Sequence, residues 1–238
     1  MENTSYIALS RQMTLRTEMN IVANNIANAN TPAYKAEKVV FQEFLDRTKN
    51  SEKLSFVQDI GLARDIREGP LTTTGNPLDV AISGDGYFIV ETPLGDRYTR
   101  HGRFQLDAGG QLVDSEGHPV KSAGAPLVVP AGQGEISIAP DGTMSTSEAV
   151  IGKLSIVKFE DEYDLKKGAN GLYSTEQEPE EITSPQLVQG MLEDSNVQPI
   201  IELSRMIMVQ REYQSVQNFI KQENDRMKKA IDKLSRQS

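Results

Sequence analysis

The sequence predicts an α+β fold in which helices at the two ends of the chain pack as a coiled-coil-like pair, with an all-β domain inserted between them. Three observations carry this. Apolar residues near the N-terminus recur at alternating four- and three-residue intervals, a heptad seam runs through the C-terminal segment, and the region between consists of short alternating runs broken by Gly, Pro, Asp and Asn. The boundaries read as an N-terminal helix over 1–35, a connecting segment over 36–68, a β-rich domain over 69–185 and a C-terminal helix over 186–238.

In the first helix, Leu15, Met19, Val22, Ile26 and Ala29 share one face. Thr31-Pro32 ends it, because the residue before proline is pushed out of the α region and proline has no N–H to continue the ladder. Just before that stop, "ANNIANANTPAYK" (Ala23 to Lys35) carries Asn24, Asn25, Asn28 and Asn30, a residue type whose amide competes with the helix backbone. Their expected role is to offer donors and acceptors to adjacent helices or to the Thr31-Pro32 turn. The stretch from Tyr34 to Arg47 reads as a turn into a short amphipathic segment.

Between Gly69 and Pro185, "LDVAI", "GYFIVE", "RYTR", "RFQL", "QLVD", "EISIA" and "GKLSIVKF" are strand candidates, separated by turn signals such as "SGDG", "DAGG" and "APDG". The acidic stretch from Glu160 to Glu181 reads as a solvated edge or loop. From Val197 onward, Met206, Tyr213, Ile220, Met227 and Leu234 occupy one heptad position and Val209, Val216, Glu223 and Ala230 the other, with only Glu223 breaking the seam. Asn196 can cap this helix, and Pro199 falls in its first turn, where a missing N–H costs nothing. Its expected length is about 50 Å at ~1.5 Å per residue.

Composition narrows the function. A formal net charge of -9 argues against sequence-independent binding to nucleic acid or to an anionic membrane as the main activity. With no cysteine and two histidines, thiolate chemistry is excluded and metal chemistry has little to draw on. His101 and His118 each sit beside a turn, without a second ligand type at a zinc-like spacing. Neither "SGDGYF" nor "TTTGNPL" completes a dinucleotide or phosphate-binding fingerprint, and the glycine-flanked Asp85, Asp107, Asp114 and Asp141 do not follow a calcium-loop ladder. No catalytic residue, cofactor or metal site is therefore expected, and the chain does not read as an enzyme. The N-terminus lacks the basic and apolar regions of a signal peptide, and no stretch approaches the ~20 apolar residues of a membrane span.

Three ordered motifs carry a family resemblance over nearly the whole chain. "ANNIANANTPAYK" resembles the N-terminal motif of the flagellar rod and hook axial proteins, and "GMLEDSNVQPIIELSRMIMVQREYQ" (Gly190 to Gln214) resembles their C-terminal motif. "TGNPLDVAISGDGYFIV" with "YTRHGRFQLDAGGQLV" is similar to the β domain shared by proximal-rod and distal-rod members, the proximal type being nearer. The resemblance implies a structural subunit of the flagellar basal-body rod, exported by the type III apparatus without a cleaved signal. It further implies polymerisation in the periplasm with copies of itself and other rod proteins into the drive shaft. The assembly interface expected from it comprises Leu15, Met19, Val22, Asn24, Asn25, Ile26, Asn28 and Asn30, together with Asn196, Val197, Met206, Val209, Tyr213, Val216, Ile220 and Met227. A soluble coiled-coil adaptor with a β ligand-binding domain is the competing reading. Terminal seams with little to bury in a lone subunit are expected to order on assembly.

Overall fold

The computed structural model describes residues 2–47, 53–122, 126–130, 132 and 134–235. It is α+β, with one long helix towards each end of the chain and a mostly sheet region between them. The chain divides into two compact units, one built from Met1–Ala29, Ala36–Asp65 and Val197–Ser238, the other from Asn30–Lys35 and Ile66–Asn196.

The helical unit holds α1 (Glu2–Ala27), strands β1 (Glu37–Arg47) and β2 (Lys53–Arg64), and α2 (Pro199–Ser235). Helix α1 stops three residues before Asn30. There the backbone N–H and the side-chain amide of Asn28 both donate to the Asn24 carbonyl, at 3.1 and 2.8 Å, and a tighter Ala29-to-Ile26 bond follows at 3.2 Å. Helix α2 begins with Pro199, the first-turn position where its missing N–H costs nothing, and acidic Glu202 in that turn suits the positive end of the helix dipole.

The two helices pack antiparallel within the one chain. Arg11, Glu18 and Asn25, seven residues apart on α1, each bond to α2, reaching Glu212 at 2.6 Å, Arg205 at 2.9 Å and Glu202 at 3.3 Å respectively. Ala8, Leu15 and Val22, again seven apart, are buried. A lone subunit thus gives the terminal seams a partner, which revises the expectation that they have little to bury. The stretch expected to be a turn into a short amphipathic segment contains β1, which pairs antiparallel with β2 from Glu37↔Arg64 to Arg47↔Lys53 with a register shift between Val40 and Phe41.

The β unit is organised around a six-stranded antiparallel sheet in the order Lys166–Lys167, Tyr173–Ser174, Gly95–Thr99, Tyr87–Thr92, Ile156–Lys158, Glu180–Glu181. Tyr87–Val90 is buried on both faces, which accounts for its unbroken apolar sequence. Successive side chains point to opposite faces of a strand. Phe88 accordingly joins one core with Val80, Phe104, Leu112 and Met144, while Tyr87 and Ile89 join a second with Tyr98, Phe159 and Tyr173. The second core is aromatic and edge-on, Tyr98 and Phe159 meeting at 4.7 Å between ring centroids. Two further antiparallel pairings, Leu187–Gln189 with Val80–Ile82 and Met191–Glu193 with Leu71–Thr73, return the end of this unit to its beginning.

Candidate assembly site

The N-terminal and C-terminal motifs, far apart in sequence, meet inside the β unit. After α1 the chain turns at Ala33, whose φ of 56° lies in the left-handed region that costs a non-glycine residue about 1–2 kcal/mol. Three backbone hydrogen bonds hold that conformation. Ala33 N–H donates to the Glu193 carbonyl at 2.7 Å, Asn196 N–H to the Tyr34 carbonyl at 3.2 Å, and Tyr34 N–H closes the turn on Thr31 at 3.2 Å. The segment that leaves α1 is therefore zipped to the segment that precedes α2.

Beneath this ladder lies a buried charge cluster. Lys35 Nζ donates to Glu193 Oε1 at 2.6 Å and to the Arg67 carbonyl at 2.9 Å. On the other carboxylate oxygen, Glu193 accepts from Arg100 Nε at 2.7 Å, and Gly69 N–H donates to Oε1 at 3.0 Å. Arg100 donates further to the carbonyls of Gly86 and Gly84 and to Glu68 Oε1, each at 3.1 Å. The side chains of Lys35, Glu193 and Arg100 are 3%, 1% and 5% exposed. Burial alone would raise the Glu193 carboxyl, but Arg100 and Lys35 with their hydrogen bonds hold it below the ordinary glutamate value. Burial pushes the Lys35 ammonium down, against the pull of Glu193.

Desolvation offsets much of the attraction in such a cluster, so its net contribution to stability is small while the cost of breaking it is large. The cluster joins Lys35 of one motif segment to Glu193 of the other. Gly69 belongs to the same arrangement, since a Cβ there would lie 1.9 Å from the Asp194 carbonyl oxygen.

In the helical unit, the asparagines of "ANNIANAN" separate by role. Asn25, 1% exposed, accepts from Glu37 N–H at 3.0 Å and donates to Glu37 O at 2.9 Å, bonding both backbone groups of one residue as a neighbouring strand would. Its amide also reaches Glu202 on α2. Asn28 closes the helix end, and Asn24 and Asn30 are exposed. Asn196, in the β unit, donates from its side chain to the Arg67 carbonyl at 2.8 Å.

Of the expected seam, Leu15, Val22, Val197 and Val209 are buried, and Met19, Ile26, Met206, Tyr213, Val216, Ile220 and Met227 are half-buried. The seam is thus the less exposed face of α2. Its other face carries apolar side chains that the heptad reading did not single out, among them Ile200 at 82% exposure, Ile201, Leu203, Ile207 and Met208. Helix α1 likewise exposes Tyr6, Leu9 and Met13 at helical spacing. Sequence reasoning also passed over Arg100, Glu68 and Arg67, whose signal is non-local, since nothing near them in the chain marks them as partners of Glu193.

Comparison with known proteins assigns the same segments. Residues 6–35 match the model described as flagella basal body rod protein, residues 81–146 that of the flagellar hook protein FlgE/F/G D1 domain, and residues 188–233 that of the flagellar basal body rod FlgEFG protein C-terminal region. The flagellar basal-body rod protein FlgF of Caulobacter vibrioides is 39% identical over 99% of both chains. The chain belongs to the flagellar basal-body rod protein family. FlgF of Mesorhizobium japonicum is 33% identical over the full length of both, and the rod protein FlgG of Bacillus subtilis is 32% identical over 88% of this chain and 90% of its own. In this rod protein the family's terminal matches coincide with the two helices and with the motif segments that the Lys35–Glu193–Arg100 cluster joins.

Proposed function

We propose that this rod protein is a proximal-rod subunit that polymerises through its terminal helices, with copies of itself and with other rod proteins, into the shaft that transmits torque. On this reading it is exported by the flagellar type III apparatus and takes its place in the periplasm. The full-length similarity to FlgF proteins supports the family role, and the exposed apolar face carries the mechanism. The seam residues Leu15, Val22 and Val209 are already buried within the chain, whereas Ile200, Ile201, Leu203, Ile207 and Met208 on α2 and Tyr6, Leu9 and Met13 on α1 remain in water. An apolar stripe of that kind marks a surface for another molecule. In the assembled rod, neighbouring subunits cover it with coiled-coil-like helix contacts.

Complementation of a strain lacking this protein tests the proposal. Ile201→Asp, Met208→Asp and Met13→Asp should leave the purified subunit's thermal midpoint unchanged while excluding it from isolated basal bodies and abolishing swarming. Full incorporation of all three variants would reject the exposed face as the assembly surface.

A further inference from the structure

We propose that Asp114, Glu116 and His118 form a binding site for a single borderline divalent metal ion of the zinc or cobalt class. The three residues occupy one turn of the β unit, directly after the strand Leu112–Val113. The turn is pre-organised by Asp114 itself, whose Oδ1 accepts from the N–H groups of Glu116 and His118, both at 2.8 Å. That leaves Oδ2 to face the imidazole, 3.1 Å from His118 Nδ1, while Glu116 Oε2 approaches the same nitrogen to 3.7 Å. One donor atom from each residue lies within 4.8 Å of the others.

The two distances to the imidazole nitrogen are close to what a metal centre requires. Ligands bound at about 2.1 Å with tetrahedral angles are separated by roughly 3.4 Å, which falls between the two values observed. The donor set selects the class of ion. An imidazole nitrogen with two carboxylate oxygens suits zinc, cobalt or nickel, whereas calcium and magnesium call for an all-oxygen shell of six or more. The ion would take the Nδ1 lone pair of the imidazole tautomer that carries its single proton on Nε2.

The surroundings support a bound ion rather than a simple ion pair. The side chains of Asp114 and His118 are mostly buried, at 10% and 24% exposure, which limits competition from water. Glu116 Oε1 accepts a hydrogen bond from the Asn170 amide, which orients the carboxylate and leaves Oε2 for the metal. Glu116 and His118 also line a half-open cavity of about 510 Å³, bounded further by Thr92, Leu94, Arg97 and Leu172. A metal there would fasten the Asp114–His118 turn to the Asn170 loop.

The test uses the full chain stripped of metal by chelation. Cobalt(II) is titrated and followed by its visible absorption, with zinc competition and calorimetry as the second readout. A single saturable site of micromolar affinity is expected, displaced by zinc and accompanied by a rise in thermal midpoint. His118→Ala and Glu116→Gln should each weaken binding by at least about tenfold, and His101→Ala, at the chain's other histidine, should leave it unchanged. Absence of saturation below millimolar cobalt, binding undiminished in His118→Ala, or binding lost in His101→Ala would overturn the assignment. Should His118→Ala fail to fold, Glu116→Gln, in the most exposed of the three side chains, decides by the same criterion.

Discussion

Replacing Glu193 by glutamine removes one negative charge from beneath two cations while keeping the shape of the side chain. The 2.6 Å contact to Lys35 and the 2.7 Å contact to Arg100 then lose their charge, and both cations are left in a site where their side chains are 3% and 5% exposed. Breaking a buried pair in this way costs about 3–5 kcal/mol. For a unit of this size that corresponds to a fall of about 10–15 °C in thermal midpoint. Asp96→Asn is the matched control. Asp96 pairs with Lys121 at the same kind of distance, 2.7 Å, but with side chains 38% and 48% exposed, so its loss should cost no more than about 1 kcal/mol.

The pH dependence gives the same prediction a second readout. Because the folded-state carboxyl of Glu193 is held below its ordinary value, its stabilisation is fully present above the usual glutamate range and is lost as pH falls through the depressed value. The gap in midpoint between wild type and Glu193→Gln should therefore be widest near neutrality and close in acid. Differential scanning calorimetry across that range measures it. A variant within about 1 °C of wild type at neutral pH, or a gap that does not narrow in acid, would refute the cluster as the lock between the motif segments.

Asn25→Ala should cost about 1–3 kcal/mol, since the Glu37 backbone loses both partners at a buried position, and amide exchange should accelerate at Glu37 before it does so in the β unit. Gly69→Ala should lower the midpoint and loosen the segment around Glu193, because its Cβ meets backbone rather than a movable side chain; an unchanged midpoint would contradict the close approach at Asp194. Tyr87, whose phenol burial pushes upward and whose hydroxyl donates to Glu162 at 3.0 Å, should stay protonated through an alkaline absorbance titration until the β unit unfolds. Early ionisation of every tyrosine would show that the aromatic core is open to solvent.

The helices and most strand positions were legible because their signals are local. Each strand candidate between Leu78 and Phe159 overlaps a strand of the structure, and the heptad through Met206, Val209 and Tyr213 marks the less exposed face of α2. Where the reading failed, the deciding partner lies elsewhere in the chain. In Glu37–Arg47 the local pattern marks an amphipathic segment without a type, since Val40, Phe41, Phe44 and Leu45 repeat at a helix-like interval, and only pairing with Lys53–Arg64 makes it a strand. Asn25 resembled its neighbouring asparagines until Glu37 and Glu202 came alongside it. Lys35 and Glu193 both lay inside recognisable motifs, but their contact spans 158 residues and was invisible without the fold. The turn from Asp114 to His118 shows the opposite limit, in which local spacing was plain and only the convergence of the side chains revealed a donor set.

The hydrogen bond from Asn196 to Arg67 joins residues 129 positions apart, close to where the longer stretch of the β unit begins and ends. The β unit therefore departs from the chain and rejoins it at nearly one point, as an insertion does. Such a module can be lengthened, shortened or exchanged within its own loops while the spacing between its two attachment points stays constant. Diversity among shaft proteins can then accumulate on this module without disturbing the helices that flank it.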